Sequence, residues 1–136
     1  MISPTGLGIR VDSAGDGHYG ARRRNFKGRV YSHDGIDFLL IRKQVIVAPT
    51  TCKMPRIARP YQNDSTYSGA ILESDKIRLE LFYFEPYPHL IGRSVDIGQP
   101  IGIAQDITLR YPNSGMKPHV HLGIVKCDPM IFIDLP

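Results

Sequence analysis

The sequence contains no long apolar run. Its longest uninterrupted stretches, such as Val45-Ile46-Val47-Ala48 and Leu81-Phe82-Tyr83-Phe84, fall far short of the roughly 18 residues of a membrane span, which excludes an integral membrane protein. Cysteine is scarce: Cys52 and Cys127 are too few for a disulfide scaffold and lack CxxC spacing, so they read as two ordinary thiols, with a single bridge as the alternative. The opening residues Met1 to Arg10 lack a basic stretch followed by an apolar segment, so no secretory signal is read there. No repeat, charge block or linker divides the chain. The formal net charge is only +4, a mild attraction to anionic surfaces that selects no partner. Arg22-Arg23-Arg24 is the densest basic run and reads as a solvated surface. With no RNP-like aromatic motif or finger spacing, a nucleic-acid module has little support.

What is present is the composition of a globular chain: 136 residues, 42% hydrophobic and 22% charged, enough for one domain with a core. Thirteen glycines and eleven prolines interrupt it about every six residues, leaving few windows for helices and favouring strands. Lys76 to Phe84 alternates, with Ile77, Leu79, Leu81 and Tyr83 on one face and Lys76, Arg78 and Glu80 on the other, which predicts a half-buried antiparallel strand. Val45 to Ala48 and Ile101 to Ala104 read as short buried strands. In His119 to Val125, Val120, Leu122 and Ile124 are predicted to face the core and His119, His121 and Gly123 the other side. Residues 1–17 read as a loop-like extension before a core of 18–136. Asp106 to Pro118 is expected to be a long exposed loop beside a binding site. The fold class is therefore mainly β (β-rich α+β), a single domain built on an antiparallel sheet.

Histidine is the residue type most readily used for metal binding or proton transfer near neutrality, and there are five: His18, His33, His89, His119 and His121. His18 reads as a surface residue. His33 and Asp37 lie four apart, a spacing that places both on one face of a strand or a helix, and Gly35 between them adds no bulk. His119 and His121 share one strand face. Two histidines and one carboxylate suit a catalytic zinc site, which uses three protein ligands and an open fourth position.

The ordered set Gly20-x-Arg22, His33-x-Gly35-x-Asp37, Tyr87-Pro88-His89-Leu90, Gly98-Gln99-Pro100-Ile101-Gly102 and Pro118-His119-Val120-His121-Leu122 resembles the lysostaphin-type (LytM-like) zinc metallopeptidases over roughly residues 18 to 136. Val47-Ala48-Pro49 and Asp128-Pro129 are similar to further stretches of that family. The resemblance implies one Zn²⁺ held by His33, Asp37 and His121 in a groove of the sheet, with His119 and His89 as catalytic imidazoles. It further implies an endopeptidase acting on the cross-links or cross-bridges of bacterial peptidoglycan, a peptide substrate suited to an open groove. A monomer is the expected state. Three routes to the wall fit the unread secretory signal: a phage- or prophage-delivered lysin, a domain of a longer secreted chain, or an export route the chain does not encode; compactness alone favours the first.

The chain departs from the family pattern in three places. Asp106 to Pro118 is longer than the usual turn and carries Arg110, Tyr111 and Lys117; Cys52 and Met54 stand near an expected turn glycine; and neither Tyr19 nor Tyr31 matches the spacing of the tyrosine that some members use to support an oxyanion. Three other functions compete: a non-catalytic module of the same fold that binds peptidoglycan or a partner wall hydrolase, a two-His-one-carboxylate Fe(II) oxygenase, and the nucleic-acid module. The spacing of the ligands argues against the oxygenase.

Overall fold

The computed structural model describes residues 1–25 and 27–133, so position 26 and the last three positions of the expected 18–136 core lie outside the described residues. In chain order the strands are β1 (Val11–Asp12), β2 (Gly15–Asp16), β3 (Arg22–Arg24), β4 (Val30–Ser32), β5 (Gly35–Leu39), β6 (Val45–Val47) and β7 (Cys52–Lys53). There follow β8 (Ile57–Ala58), β9 (Gly69–Glu73), β10 (Ile77–Phe82), β11 (Phe84–Pro86), β12 (Ser94–Val95), β13 (Pro100–Ala104) and β14 (His119–Cys127). Short 3-10 turns at Pro88–Leu90, Ile107–Leu109 and Pro129–Phe132 are the helical elements among the described residues, and none is long and apolar enough to cross a membrane.

The principal sheet has the order β12-β7-β9-β10-β14-β5, with β8 also paired to β9, and every pairing is antiparallel. A second sheet, β11-β13-β6, packs its apolar side chains into the same core. Alternation selects what enters that core. Leu79 and Leu81 of β10, Val120 of β14, Ile46 of β6, Phe84 of β11 and Ile101 of β13 are all buried, each contributing about 1.5–3 kcal/mol by leaving water.

Three expectations change at this level. First, β10 stops at Phe82 rather than running to Phe84, because Tyr83 has φ +77. A bulky residue in the left-handed region breaks the period-2 alternation. Tyr83 leaves the core face, Phe84 takes its place inside, and the chain passes from the principal sheet to the second. Second, only part of the apolar set of β14 is covered: Val120 is buried and Leu122 half-buried, while Ile124 is 59% exposed. The strand runs on past the packed part of the sheet.

The third change concerns residues 8–17, which are integrated into the fold rather than trailing from it. Leu39 N donates to Gly8 O, Arg10 N to Asp37 O, Asp37 N to Gly17 O and Gly17 N to Arg10 O, at 2.7–2.9 Å. The free edge of β5 would otherwise leave these backbone groups unpaired beside buried side chains.

Candidate functional site

Three strands build the site. The register of β14 places His121 opposite Asp37 of β5 and Phe82 of β10, and places His119 opposite Leu39. Residues two apart on a strand share a face, so both imidazoles and the Asp37 carboxylate project to the side of the sheet away from Val120. His33 lies just before β5 and is buried beside them. Gly35 makes the arrangement possible, because a Cβ at that position would lie 2.6 Å from His121 Cε1 and 2.7 Å from Nε2.

Donor atoms converge here. His33 Nε2 is 3.2 Å from Asp37 Oδ1 and 3.2 Å from His121 Nδ1, and His121 Nδ1 is 3.0 Å from Asp37 Oδ1. The edges of a tetrahedron around zinc, with bonds near 2.0–2.1 Å, measure about 3.3 Å. The tautomers agree with this geometry. His33 Nδ1 faces the His18 carbonyl oxygen at 3.0 Å and must donate to it, which leaves a lone pair on Nε2 facing the other donors. His121 turns its Nε2 to Asp34 Oδ1 at 3.6 Å, the outer carboxylate contact that commonly orients a ligating imidazole.

Two carboxylates thus flank His121, and His33, Asp34 and His121 by themselves also form a group able to hold a metal ion. Asp34 is 84% exposed at its side chain, whereas Asp37 is 4% exposed and meets both imidazoles at close range. Asp37 is the better inner partner. Burial pushes its carboxyl up, but the hydrogen bond to His121 and the nearby His119 and His33 outweigh burial and hold it at about 2. Its second oxygen, Oδ2, accepts from Arg10 Nη2 at 3.1 Å and Arg23 Nη2 at 3.2 Å, and Arg10 also pairs with Asp12 at 2.7 Å.

His119 stands beside this group without joining it, with Nε2 3.8 Å from Asp37 Oδ2. Its Nδ1 donates to the Lys117 carbonyl oxygen at 2.8 Å, so Nε2 carries a lone pair. Burial lowers its pKa from the usual histidine range, more than the neighbouring Asp37 raises it. His119 is therefore neutral at pH 7 and able to accept a proton.

These groups open into a cleft of about 730 Å³. Of the residues singled out from the sequence, His33, Asp37, His119, His121 and Tyr31 line it. The structure does not bring His89 to them: it is exposed in the turn Pro88–Leu90 and stacks on Tyr87, with ring centroids 5.9 Å apart. Tyr19 is 73% exposed and lines a different hollow, and Cys52 and Cys127 are unbridged. Several cleft residues escaped the sequence reading. Arg23 belongs to the run expected to be solvated, yet its side chain is 10% exposed and holds Asp37. Arg10 lies in the segment expected to be loop-like, Tyr83 was read onto the core face of its strand, and Tyr61 carried no motif, whereas Tyr111 belongs to the Asp106–Pro118 loop expected beside a binding site.

No protein-family model matches the chain. Among solved structures, it aligns with the catalytic domain of lysostaphin, described as an antimicrobial peptidase from Staphylococcus simulans. The TM-score is 0.51 at 20% identity, over 96% of this chain and 86% of that one. The fold is lysostaphin-like. A solution structure of lysostaphin aligns with TM-score 0.53 and 20% identity over 92% of this chain and 54% of its own length, so the chain spans about half of that protein. In this chain the fold consists of the antiparallel sheets described above, with Asp37, His119 and His121 on one face of the principal sheet and His33 just before β5.

Proposed function

We propose that this chain is a single peptidase domain, a zinc metallo-endopeptidase that hydrolyses peptide cross-links or cross-bridges of bacterial peptidoglycan. His33, Asp37 and His121 would hold one zinc ion, and His119 would carry the proton. One observation carries the reading: three donor atoms meet within 3.0–3.2 Å at an open cleft, with the unprotonated nitrogen of another imidazole beside them. The lysostaphin-like fold supports the substrate class.

When bound, zinc would supply Lewis acidity, polarising a peptide carbonyl and making water acidic near neutral pH. The protein's own groups do the rest. Arg10 and Arg23 fix Asp37 through Oδ2 and so keep Oδ1 aimed at the two imidazoles. His119 Nε2 accepts the proton of the attacking water and returns it to the leaving amine, while the Lys117 carbonyl holds the ring in the required tautomer. The open cleft admits an extended peptide.

The test is mass spectrometry of peptides released from purified Gram-negative and Gram-positive peptidoglycan, with and without a zinc chelator, alongside metal analysis of the purified chain. Chelator-sensitive release of defined fragments is expected, with stoichiometric zinc. Stoichiometric iron would point to the oxygenase chemistry instead. Zinc binding with no release from either wall would leave a peptidoglycan-binding module of the same fold.

A further inference from the structure

The cleft as built holds one catalytic imidazole, since His89 is turned away on the Pro88–Leu90 turn. Hydrolysis of a peptide bond places negative charge on the carbonyl oxygen as well as a proton demand on water, and a single histidine does not serve both. The geometry points to Tyr83 as the second catalytic residue, its phenol donating a hydrogen bond to the carbonyl oxygen of the peptide bond being cut. This assignment rests on the peptidase reading above.

Three independent features of Tyr83 support it. Its backbone sits at φ +77, a conformation that costs free energy for a bulky residue and persists where the surroundings enforce it. That strain has a visible effect, which is to move the ring from the core face of β10 into the cleft. There the ring meets His119 edge-on, with centroids 5.5 Å apart and planes at 89°. The hydroxyl lies 3.2 Å from the Tyr61 hydroxyl, which in turn lies 2.7 Å from that of Tyr111. With Tyr61 donating, the Tyr83 proton is free for a ligand in the cleft. Burial pushes the Tyr83 phenol up to about 12, so it remains a protonated donor across the working range.

Other cleft groups fit the role less well. Tyr31 is 50% exposed on β4 and, among the described residues, has no hydrogen-bond partner that fixes its hydroxyl. Glu80 flanks His121 on the Asp34 side, away from His119, and its carboxyl is an acceptor when ionised.

The experiment compares the zinc-loaded chain with Y83F, Y83H, Y31F and H89A, measuring the rate of fragment release, zinc content and melting temperature. Y83F is expected to keep its zinc and its fold while kcat falls by about 10²–10³ and KM changes little, the signature of a lost transition-state donor. Y83H, which restores an N–H donor at the same position, is expected to recover part of that loss, H89A to match the parent, and Y31F to lose less than Y83F. Full activity in Y83F, or a loss confined to H89A or Y31F, overturns the assignment and leaves the peptidase reading standing. A parent chain that loads zinc but releases nothing overturns both.

Discussion

The two carboxylates beside His121 differ in what else they touch, and that difference makes the ligand set testable one residue at a time. Asp37 is held from behind by two guanidinium groups and faces both imidazoles at close range, whereas Asp34 meets the outer nitrogen of His121 at 3.6 Å from a solvated position and is within 4.8 Å of a His33 nitrogen. D37N is therefore expected to abolish zinc binding in a chelator-competition titration, while D34N weakens it by about 10–100-fold, the usual effect of losing an outer hydrogen bond to a ligating histidine. Equal losses from the two variants would mean that Asp34 is itself a ligand. H119A is expected to bind zinc as the parent does and to lose about 10²–10⁴ in kcat, because its Nε2 lies outside the donor triangle. Loss of zinc from H119A would move that residue into the ligand set. That His33 goes with Asp37, and His119 with His121, was legible from spacing, since periodicity fixes the face within one element; that the two pairs belong to one site came from the family resemblance. The position of His89 was not, because a turn residue is aimed by the packing around it and no period governs it.

At the scale of strands, the site depends on how closely β5 and β14 lie, and Gly35 sets that distance. A methyl group there would press on the His121 ring and on the Leu122 carbonyl behind it. G35A is expected to destabilise the fold by about 1–3 kcal/mol in urea denaturation and to weaken zinc binding by at least the outer-contact margin of about tenfold. If G35A binds zinc as tightly as the parent, the His121 ring is not held against β5 as described. The alternation of β10 and β14 marked both as strands, and it marked their inner residues as far as Leu81 and Val120. It failed at Tyr83 for a physical reason. Hydrophobic periodicity assumes ordinary extended backbone, and a positive φ inverts the facing of the next side chain without leaving a mark in residue types. The expected strand over Ile101 to Ala104 lies within β13, where Gly102 lets the Glu85 carbonyl and the Phe84 ring come close.

Across the whole molecule, the first 17 residues tie both walls of the cleft together. The backbone of residues 8–17 pairs with β5, while Asp12 Oδ2 accepts from Lys117 N at 2.9 Å and Ser13 Oγ donates to the Ser114 carbonyl oxygen at 2.8 Å. Composition reads such a segment as loop because its strands are two residues long and its pairing partners lie far along the chain. Asp12 is the central attachment. Burial raises its pKa, but the Lys117 and Ala14 N–H groups and the Arg10 guanidinium together bring it below the usual aspartate range. A carboxylate whose folded pKa is depressed contributes stability that is complete above its unfolded value, about 3.9, and is lost as pH falls through the folded value. D12N removes the charge at every pH. Metal-free D12N is therefore expected to be less stable than the parent by about 1.5–3 kcal/mol at neutral pH, the range for hydrogen bonds to a charged group. In urea titrations at descending pH, that gap should narrow below about pH 4, because the parent's own Asp12 is then being protonated. A gap that stays constant through the acid range would show that D12N acts through shape rather than charge, and that the hairpin is not held to the cleft by this carboxylate.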